Sequence, residues 1–103
     1  MIEVKLSKEY DLGGSKRREL NFRNLKIKDI RKAKDIKDTD EYNAQLVRLA
    51  SGIDTITNDE FFELDLVDYE AIENGLVDAM GKNADDYSNA KALAVMAESQ
   101  GKH

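Results

Sequence analysis

Residues 11–20 read DLGGSKRREL, and this stretch decides how the N-terminal part of the chain folds. Two adjacent glycines followed by a serine, a lysine and two arginines fit three interpretations: a phosphate-binding loop, a basic contact for nucleic acid, or a turn between strands. Each interpretation predicts a different structure on either side of the glycines. The flanking residues favour the turn.

Apolar residues alternate with polar ones on both sides of the glycine pair. Before it, they occupy even positions: Ile2, Val4, Leu6, Tyr10 and Leu12. After it, Leu20 and Phe22 continue the alternation. A period of two residues is typical of a strand with one buried face, and two such runs around a glycine pair predict a β-hairpin.

A phosphate-binding loop of the Walker type requires the pattern G-x-x-x-x-G-K-[ST] with a helix directly after it. Here Gly13 and Gly14 are adjacent, Ser15 precedes Lys16, and a strand pattern follows. This stretch therefore has neither the spacing nor the helix dipole that would hold a phosphate.

Helical periodicity replaces the alternation after Arg23. Asn24 is expected to cap a first helix through LKIKDIRKAKDIKD (25–38), in which Ile27, Ile30 and Ala33 form a weak apolar stripe. A second helix is expected to begin at Thr39 and to end at Gly52. Its apolar stripe is Tyr42, Leu46, Leu49 and Ile53.

Two further helices are predicted in residues 57–81. Thr57 and Glu60 form a capping-box pattern that opens a short helix. Asp65 is expected to cap a longer helix that stops at Gly81. The apolar stripe of this longer helix is Leu66, Tyr69, Ile72, Leu76 and Met80.

This order of elements indicates an α+β fold: an N-terminal two-stranded β-hairpin followed by three to four helices stacked on one face of the sheet. A lone hairpin is marginally stable in water, so it is expected to pack on the helices or to pair its edge with another chain. We expect residues 1–81 to form this domain. Residues 82–103 are expected to be a polar linker and, from near Ser88, an Ala-rich C-terminal segment that is either a helix or a flexible tail.

Composition narrows the class of protein. A length of 103 residues suits one small domain, and 36% charged residues predict a densely charged surface. The absence of cysteine excludes disulfides and thiol chemistry and fits an intracellular location. No apolar run approaches the ~20 residues of a membrane span, and the N-terminal MIEVKLSKEY has charges where a signal peptide is apolar. We therefore expect a soluble cytoplasmic protein.

No catalytic, cofactor or metal site is predicted. The single histidine is His103, at a terminus that cannot hold a general base in place. The clustered carboxylates lie at a polar helix junction or at helix starts, where capping explains them. They are Asp35, Asp38, Asp40, Asp59, Glu60, Glu63 and Asp65. The calcium-loop pattern of an EF-hand does not occur.

Charge is unevenly distributed along the chain. Residues 1–37 carry 12 Lys and Arg against 6 Asp and Glu, whereas residues 38–103 carry 4 against 15. A basic region of this kind fits nucleic acid or an acidic partner, but it also fits a basic layer packed on the chain's own acidic helices, or copies stacked head to tail.

Nucleic-acid binding would rest on the cations Lys16, Arg17, Arg18, Arg23, Lys26, Lys28, Arg31, Lys32 and Lys34. Glu19, Asp29 and Asp35 interrupt this set, and the acidic half of the chain repels phosphates. Nucleic acid is therefore an unfavoured partner, kept as an alternative.

Apolar surface is the stronger functional candidate. FFELDLV (61–67) contains more apolar residues than one face of a short helix can bury, and ALAVMA (92–97) adds an adaptable methionine. The candidate partner-binding residues are Phe61, Phe62, Leu66, Leu76, Met80, Leu93 and Met96. The alternatives are that the first cluster belongs to the core and that the second lies in a disordered tail. If Phe61 or Leu76 holds the apolar helices of another chain in solution, replacing either by Asp abolishes the solubility of that chain.

Three segments in this order carry a resemblance to a known family: residues 4–33, YNAQLVRLASGI (42–53) and FFELDLVDYEAI (61–72). The sequence resembles the tail assembly chaperones of tailed bacteriophages, of the kind found in contractile-tailed phages and related prophages. The family's hairpin ends in a hydrophobic-x-hydrophobic-Arg element. The matching residues here are Leu20, Phe22 and Arg23; Leu46, Leu49 and Ile53 match its helical stripe, and Leu64, Asp65, Asp68 and Tyr69 match its last helix start. Members often have proline soon after the arginine, where this chain has Asn24 and Leu25.

The resemblance implies a non-enzymatic role in the bacterial host cytoplasm. A chaperone of this family binds the long, aggregation-prone tape measure protein, keeps it soluble until tail-tube subunits polymerise around it, and is absent from the finished virion. The tail tube protein is a second candidate partner, and self-association is a third. The alternative functions are a nucleic-acid-binding or regulatory phage protein, and a structural tail subunit whose hairpin adds to a neighbour's sheet.

Overall fold

The computed structural model describes residues 1–81, in which two strands are followed by four helices. The strands are β1 (Ile2–Leu12) and β2 (Ser15–Phe22), and the helices are α1 (Ile27–Ala33), α2 (Thr39–Ser51), α3 (Asn58–Phe62) and α4 (Leu66–Ala79). The predicted α+β fold, with its N-terminal hairpin and helices, is confirmed. The predicted linker and Ala-rich segment lie outside the described residues.

The glycine pair is the turn between the strands. Leu12 pairs with Ser15, and φ is 66° at Gly13 and 86° at Gly14. Positive φ at both central positions is the requirement of a type I′ turn, whose twist matches that of the two strands. The turn interpretation of DLGGSKRREL is therefore confirmed.

The register of the hairpin changes in the middle of β1. Lys5 pairs with Glu19, and the next pair is Tyr10 with Arg17, so β1 advances five residues while β2 advances two. Residues 6–9 therefore form an irregular bulge of four residues opposite Arg18. The two advances differ by three residues, an odd number, so the bulge changes which residues of β2 share a face with a given face of β1. Arg17 therefore lies on the face of Tyr10, whereas Leu20, nearer the base of the hairpin, lies on the face of Val4.

Helices α2, α3 and α4 pack on one face of the hairpin, and α1 packs on α2. In α4, Gly75 lies so close to the strands that a Cβ atom there would overlap Val4 Cγ2 and approach Phe22 Cε2 to 3.1 Å. The glycine therefore permits close packing that a larger residue prevents. The fully buried apolar side chains of the core include Leu12, Leu20, Phe22, Leu46, Val47, Phe61 and Ile72.

The first helix begins later than the sequence indicates. Leu25 is buried and donates its backbone N–H to Ala79 O at 2.6 Å, which holds this part of the chain extended against α4. The cap position is Lys26 instead of Asn24, and the helix ends at Ala33. Ile27 is 76% exposed, so its predicted place in the apolar stripe is wrong, whereas Ala33 is fully buried as predicted.

The remaining helix ends follow their local signals. Asp38 accepts a hydrogen bond from Glu41 N at 2.9 Å and caps the start of α2, and Gly52 is the C-cap residue at its end. Thr57 and Glu60 form the predicted capping box of α3. The α4 helix ends before Gly81, as expected, but the side chain of its cap residue Asp65 makes no capping hydrogen bond and lies 3.1 Å from Lys8 Nζ instead.

Candidate functional site

The start of α4 is held against the bulge of β1 by the carboxylate of Asp68. Ser7 donates its backbone N–H to Asp68 Oδ1 and its hydroxyl to Oδ2, each at 2.7 Å. Tyr10 donates its hydroxyl to the same Oδ2 and accepts the backbone N–H of Asp65 at 3.2 Å. Burial opposes ionisation of Asp68, but these hydrogen bonds outweigh it, so its pKa lies below the usual value. The α3–α4 junction is thereby fixed on the hairpin.

The side chain of Tyr69 connects the α3–α4 junction to α2. Its hydroxyl accepts a hydrogen bond from Asn43 Nδ2 and donates one to Asp40 Oδ1, both at 2.8 Å. Burial raises the pKa of Tyr69 to about 12, and the carboxylates of Asp40 and Glu73 act in the same direction. The phenol therefore stays neutral and serves as a fixed donor to Asp40.

An open groove of about 210 Å³ lies at this junction. Its lining residues are Asp40, Phe61, Phe62, Leu64, Leu66 and Tyr69. The ring of Phe61 packs edge-on against Tyr69, with centroids 5.5 Å apart, and against Phe62 at 6.3 Å. The groove is therefore an aromatic-walled depression with a carboxylate, that of Asp40, at its polar end.

The outer wall of the groove exposes large apolar side chains to solvent. Phe62 is 49% exposed and Leu66 is 80% exposed, and the neighbouring Val67 is 62% exposed. Phe62 and Leu66 both line the groove, and Val67 follows Leu66 in α4. Large apolar side chains that are exposed close together typically mark a contact surface for another molecule.

An ion pair between Arg23 and Asp29 fixes the start of α1. Arg23 donates to both carboxylate oxygens of Asp29 at 2.9 Å, and Lys26 donates its backbone N–H to Asp29 Oδ2 at 2.8 Å. The Arg23 guanidinium holds the pKa of the buried Asp29 carboxyl at about 2, below its usual value. This bidentate pair gives the arginine of the hydrophobic-x-hydrophobic-Arg element a structural role.

The structure separates the five predicted partner-binding residues that lie within residues 1–81 into three groups. Phe62 and Leu66 meet at the exposed groove, whereas Phe61 and Leu76 are only 2% and 3% exposed and belong to the core. Phe61 still lines the groove from below. Met80 is partly buried at the opposite end of α4. Leu93 and Met96 lie outside the described residues.

Burial changes how two of these predictions can be tested. An Asp at Phe61 or Leu76 would place a charge in the core and unfold the domain, so a loss of client solubility would not reveal a contact. Asp40, Leu64 and Tyr69 line the groove and were not among the candidates. The signal for Leu64 and Tyr69 was their place beside exposed apolar residues in FFELDLVDY (61–69).

The basic residues of the N-terminal region are only partly free. Arg23 is bound to Asp29, and Arg17 Nε donates to Leu12 O at 2.9 Å. Around α1 the cations are exposed and form no ion pair within residues 1–81. They are Lys26, Lys28, Arg31, Lys32, Lys34 and Lys37.

Within the same described range, no group of three or more acidic or histidine side chains is arranged to hold a metal ion. Nor does any helix in residues 1–81 have the length and apolarity needed to cross a membrane.

The hairpin, its four helices and the exposed groove define a small α+β protein with an aromatic-walled apolar surface. A family model described as "Phage tail assembly chaperone proteins, E, or 41 or 14" matches residues 3–81. This match covers more than half of the sequence, so the chain belongs to the phage tail assembly chaperone family, as the resemblance indicated. Comparisons with curated proteins and with solved structures find no match.

Proposed function

We propose that this chain is a non-catalytic chaperone that binds apolar helices of the phage tape measure protein and keeps that protein soluble during tail assembly. The observation that carries the proposal is the exposed groove at the α3–α4 junction, where Phe62 and Leu66 present apolar surface to solvent. Family membership supports a role in tail assembly, and the groove offers a place where a client helix would bury its apolar stripe.

The groove is built for reversible contact. Phe61 and Tyr69 form a floor fixed by core packing and by hydrogen bonds to Asn43 and Asp40, so the surface needs little ordering when a client binds. Phe62 and Leu66 supply the apolar contact area. A small patch on a rigid floor suits a client that must later be released to the growing tube.

The remaining predicted partner-binding residues have different roles in the proposed function. Leu76 supports α4 from the core and does not reach the client. Met80 extends the contact to the far end of α4, and Leu93 and Met96 remain predicted contacts beyond residue 81. The bacterial cytoplasm is the proposed location, and the chaperone leaves before the virion is complete, displaced when tail tube protein takes over the tape measure protein.

Co-expression with the tape measure protein of the same phage or prophage genome tests the proposal. The expected result is a soluble complex that co-purifies, and Phe62→Asp or Leu66→Asp is expected to leave the client insoluble while the chaperone stays folded. Ile27→Asp is a matched control, because Ile27 is also an exposed apolar residue, at 76%, but lies on α1. If both groove variants stay folded and still solubilise the client, this groove is not the binding site.

A second candidate function, nucleic-acid binding, is favoured by the exposed cations around α1, which form no ion pair with any residue that the structure describes. Filter binding of DNA and RNA at low salt tests it, with Lys28→Glu and Lys32→Glu as the variants expected to lose retention. Absence of retention by the unaltered protein would eliminate this candidate.

A further inference from the structure

The surroundings of the groove carry charge of one sign. Residues 49–81, which contain α3 and α4, include nine Asp and Glu and no Lys or Arg. Basic and acidic residues are usually interspersed on a protein surface. In these 33 residues every charged side chain is a carboxylate. Because they include the exposed apolar residues of the groove, we expect a negative potential beside it.

Some of these carboxylates have structural partners. Asp68 is buried and bound by Ser7 and Tyr10, and Glu60 accepts hydrogen bonds from the backbones of Thr57 and Gly13. By contrast, Glu63, Glu70 and Glu73 are exposed and form no ion pair within residues 1–81. These three remain available to a partner.

Among residues 1–81, the cations near the junction offset only part of this charge. Lys8 lies 3.1 Å from Asp65 and pairs with that one carboxylate. Arg48 is directed to the α2–α3 connection, where its Nη1 donates to Ile56 O at 3.1 Å and to Asn58 Oδ1 at 3.0 Å. Asp40 adds a further exposed carboxylate at the polar end of the groove.

We infer that the groove takes an amphipathic helix whose apolar stripe is flanked by Lys or Arg. This inference rests on the proposed function and names the chemistry of the client segment. The apolar stripe covers Phe62 and Leu66, and the flanking cations face Glu63, Glu70 and Glu73. Apolar burial supplies contact area, whereas the charges set the orientation of the helix and exclude acidic helices.

Three synthetic helical peptides test the inference. All carry the same leucine stripe, and their flanking positions are all Lys, all Gln or all Glu. Dissociation constants are measured by fluorescence anisotropy with the full-length protein. At low salt the Lys peptide is expected to bind at least about tenfold more tightly than the Glu peptide, with the Gln peptide between them. At about 1 M salt, where the Debye length is about 3 Å, this difference is expected to shrink towards onefold.

Variants separate the charged and apolar contributions. Glu63→Lys combined with Glu70→Lys is expected to remove the preference for the Lys peptide, whereas Glu19→Lys combined with Asp35→Lys, at exposed positions outside α3 and α4, retains it. Leu66→Ser is expected to weaken binding of all three peptides, which distinguishes docking in the groove from general attraction to an acidic protein.

The outcomes are distinguishable. If none of the peptides binds, the groove is not a helix-binding site, and the proposed function at this site fails together with the inference. If all three bind with equal affinity at low salt, or if the Glu peptide binds most tightly, the proposed function stands and the inference about client charge is overturned.

Discussion

The carboxylate of Asp68 accepts both the backbone N–H and the hydroxyl of Ser7, each at 2.7 Å, across 61 residues of sequence. The contact joins the bulge of β1 to the first turn of α4. Residues 6–9 of β1 lie opposite a single residue of β2, and Asp68 supplies Ser7 with the hydrogen-bond partner that β2 does not. The same contact fixes α4, whose first turn lines the groove.

Replacing Asp68 by Ala is expected to lower the free energy of unfolding by about 2–4 kcal/mol, because Ser7 and Tyr10 would lose a charged acceptor in a buried position. Urea denaturation at neutral pH measures this change. The control is Asp65→Ala, which removes an exposed ion pair with Lys8 and is expected to cost less than about 1 kcal/mol. Equal costs for the two variants would contradict the structural role assigned to Asp68.

The Asp29–Arg23 pair predicts acid sensitivity. The pKa of Asp29 in the folded protein is about 2, below the unfolded value of about 4, so the pair stabilises the fold fully above pH 4. This stabilisation is lost as pH falls through 2. Asp29→Asn is expected to cost about 1–3 kcal/mol at pH 7, a range that allows for the 42% exposed Arg23 side chain, and to flatten the pH dependence between 4 and 2.

Urea midpoints measured at pH 7, 5, 3 and 2 check this prediction. Asp35→Asn is the control, because Asp35 is exposed and forms no ion pair within residues 1–81. A profile for Asp29→Asn that falls as steeply as that of the unaltered protein would show that another group governs acid unfolding.

Gly75→Ala is expected to destabilise the protein by about 1–3 kcal/mol, although alanine favours a helix by about 1 kcal/mol, because the added Cβ would overlap Val4 Cγ2. Combining it with Val4→Ala provides space, so the two costs are expected to be less than additive. Asn74→Ala, at the exposed neighbouring position of α4, is the helix-propensity control and is expected to be slightly stabilising. Thermal unfolding of all four variants measures these differences.

The two turn glycines are expected to respond differently to alanine. At Gly14 the added Cβ meets no atom of residues 1–81 within 4 Å, so the expected cost is the strain of positive φ, about 1 kcal/mol. At Gly13 it would also overlap Ile53 Cγ2 and lie 2.8 Å from Thr55 Oγ1, which raises the expected cost to about 2–4 kcal/mol. Similar urea midpoints for the two variants would contradict the packing of the turn on the α2–α3 connection.

The adjacent phenylalanines are expected to separate stability from binding. Phe61→Ala removes a ring that is 2% exposed and should cost about 3–5 kcal/mol. Phe62→Ala removes a ring that is 49% exposed, so it should cost about 1 kcal/mol or less while reducing the amount of soluble client. Differential scanning calorimetry and the co-expression experiment, applied to both variants, check the two parts.

Features with local causes could be predicted from the sequence. Gly13 and Gly14 indicate a turn because they tolerate positive φ, and Thr57 and Glu60 indicate a helix start because each side chain reaches the other's backbone. The end of α4 before Gly81 was predicted for the same reason. These interactions involve neighbouring residues, so their pattern is visible in the chain.

Features with tertiary causes could not be predicted in this way. Asn24 has the chemistry of a helix cap, but the contact of Leu25 with Ala79 delays the helix. Phe61 and Phe62 are identical side chains at neighbouring positions, and only packing decides which one is buried. The groove could be predicted in part, as an apolar cluster in residues 61–67. The place of Asp40 in its lining could not, because it depends on α2 lying beside α4.

The distance in sequence between Ser7 and Asp68 also sets an order of events during translation. At about 5–20 residues per second, a ribosome adds Asp68 about 3–12 seconds after Ser7, so the hairpin is made well before the helix that secures it. In that interval the apolar face of Val4 and Leu20 and both strand edges are uncovered, which is the condition that favours aggregation. The nascent chaperone thus passes through a stage in which it exposes apolar surface that must be buried, as the client proposed for it does.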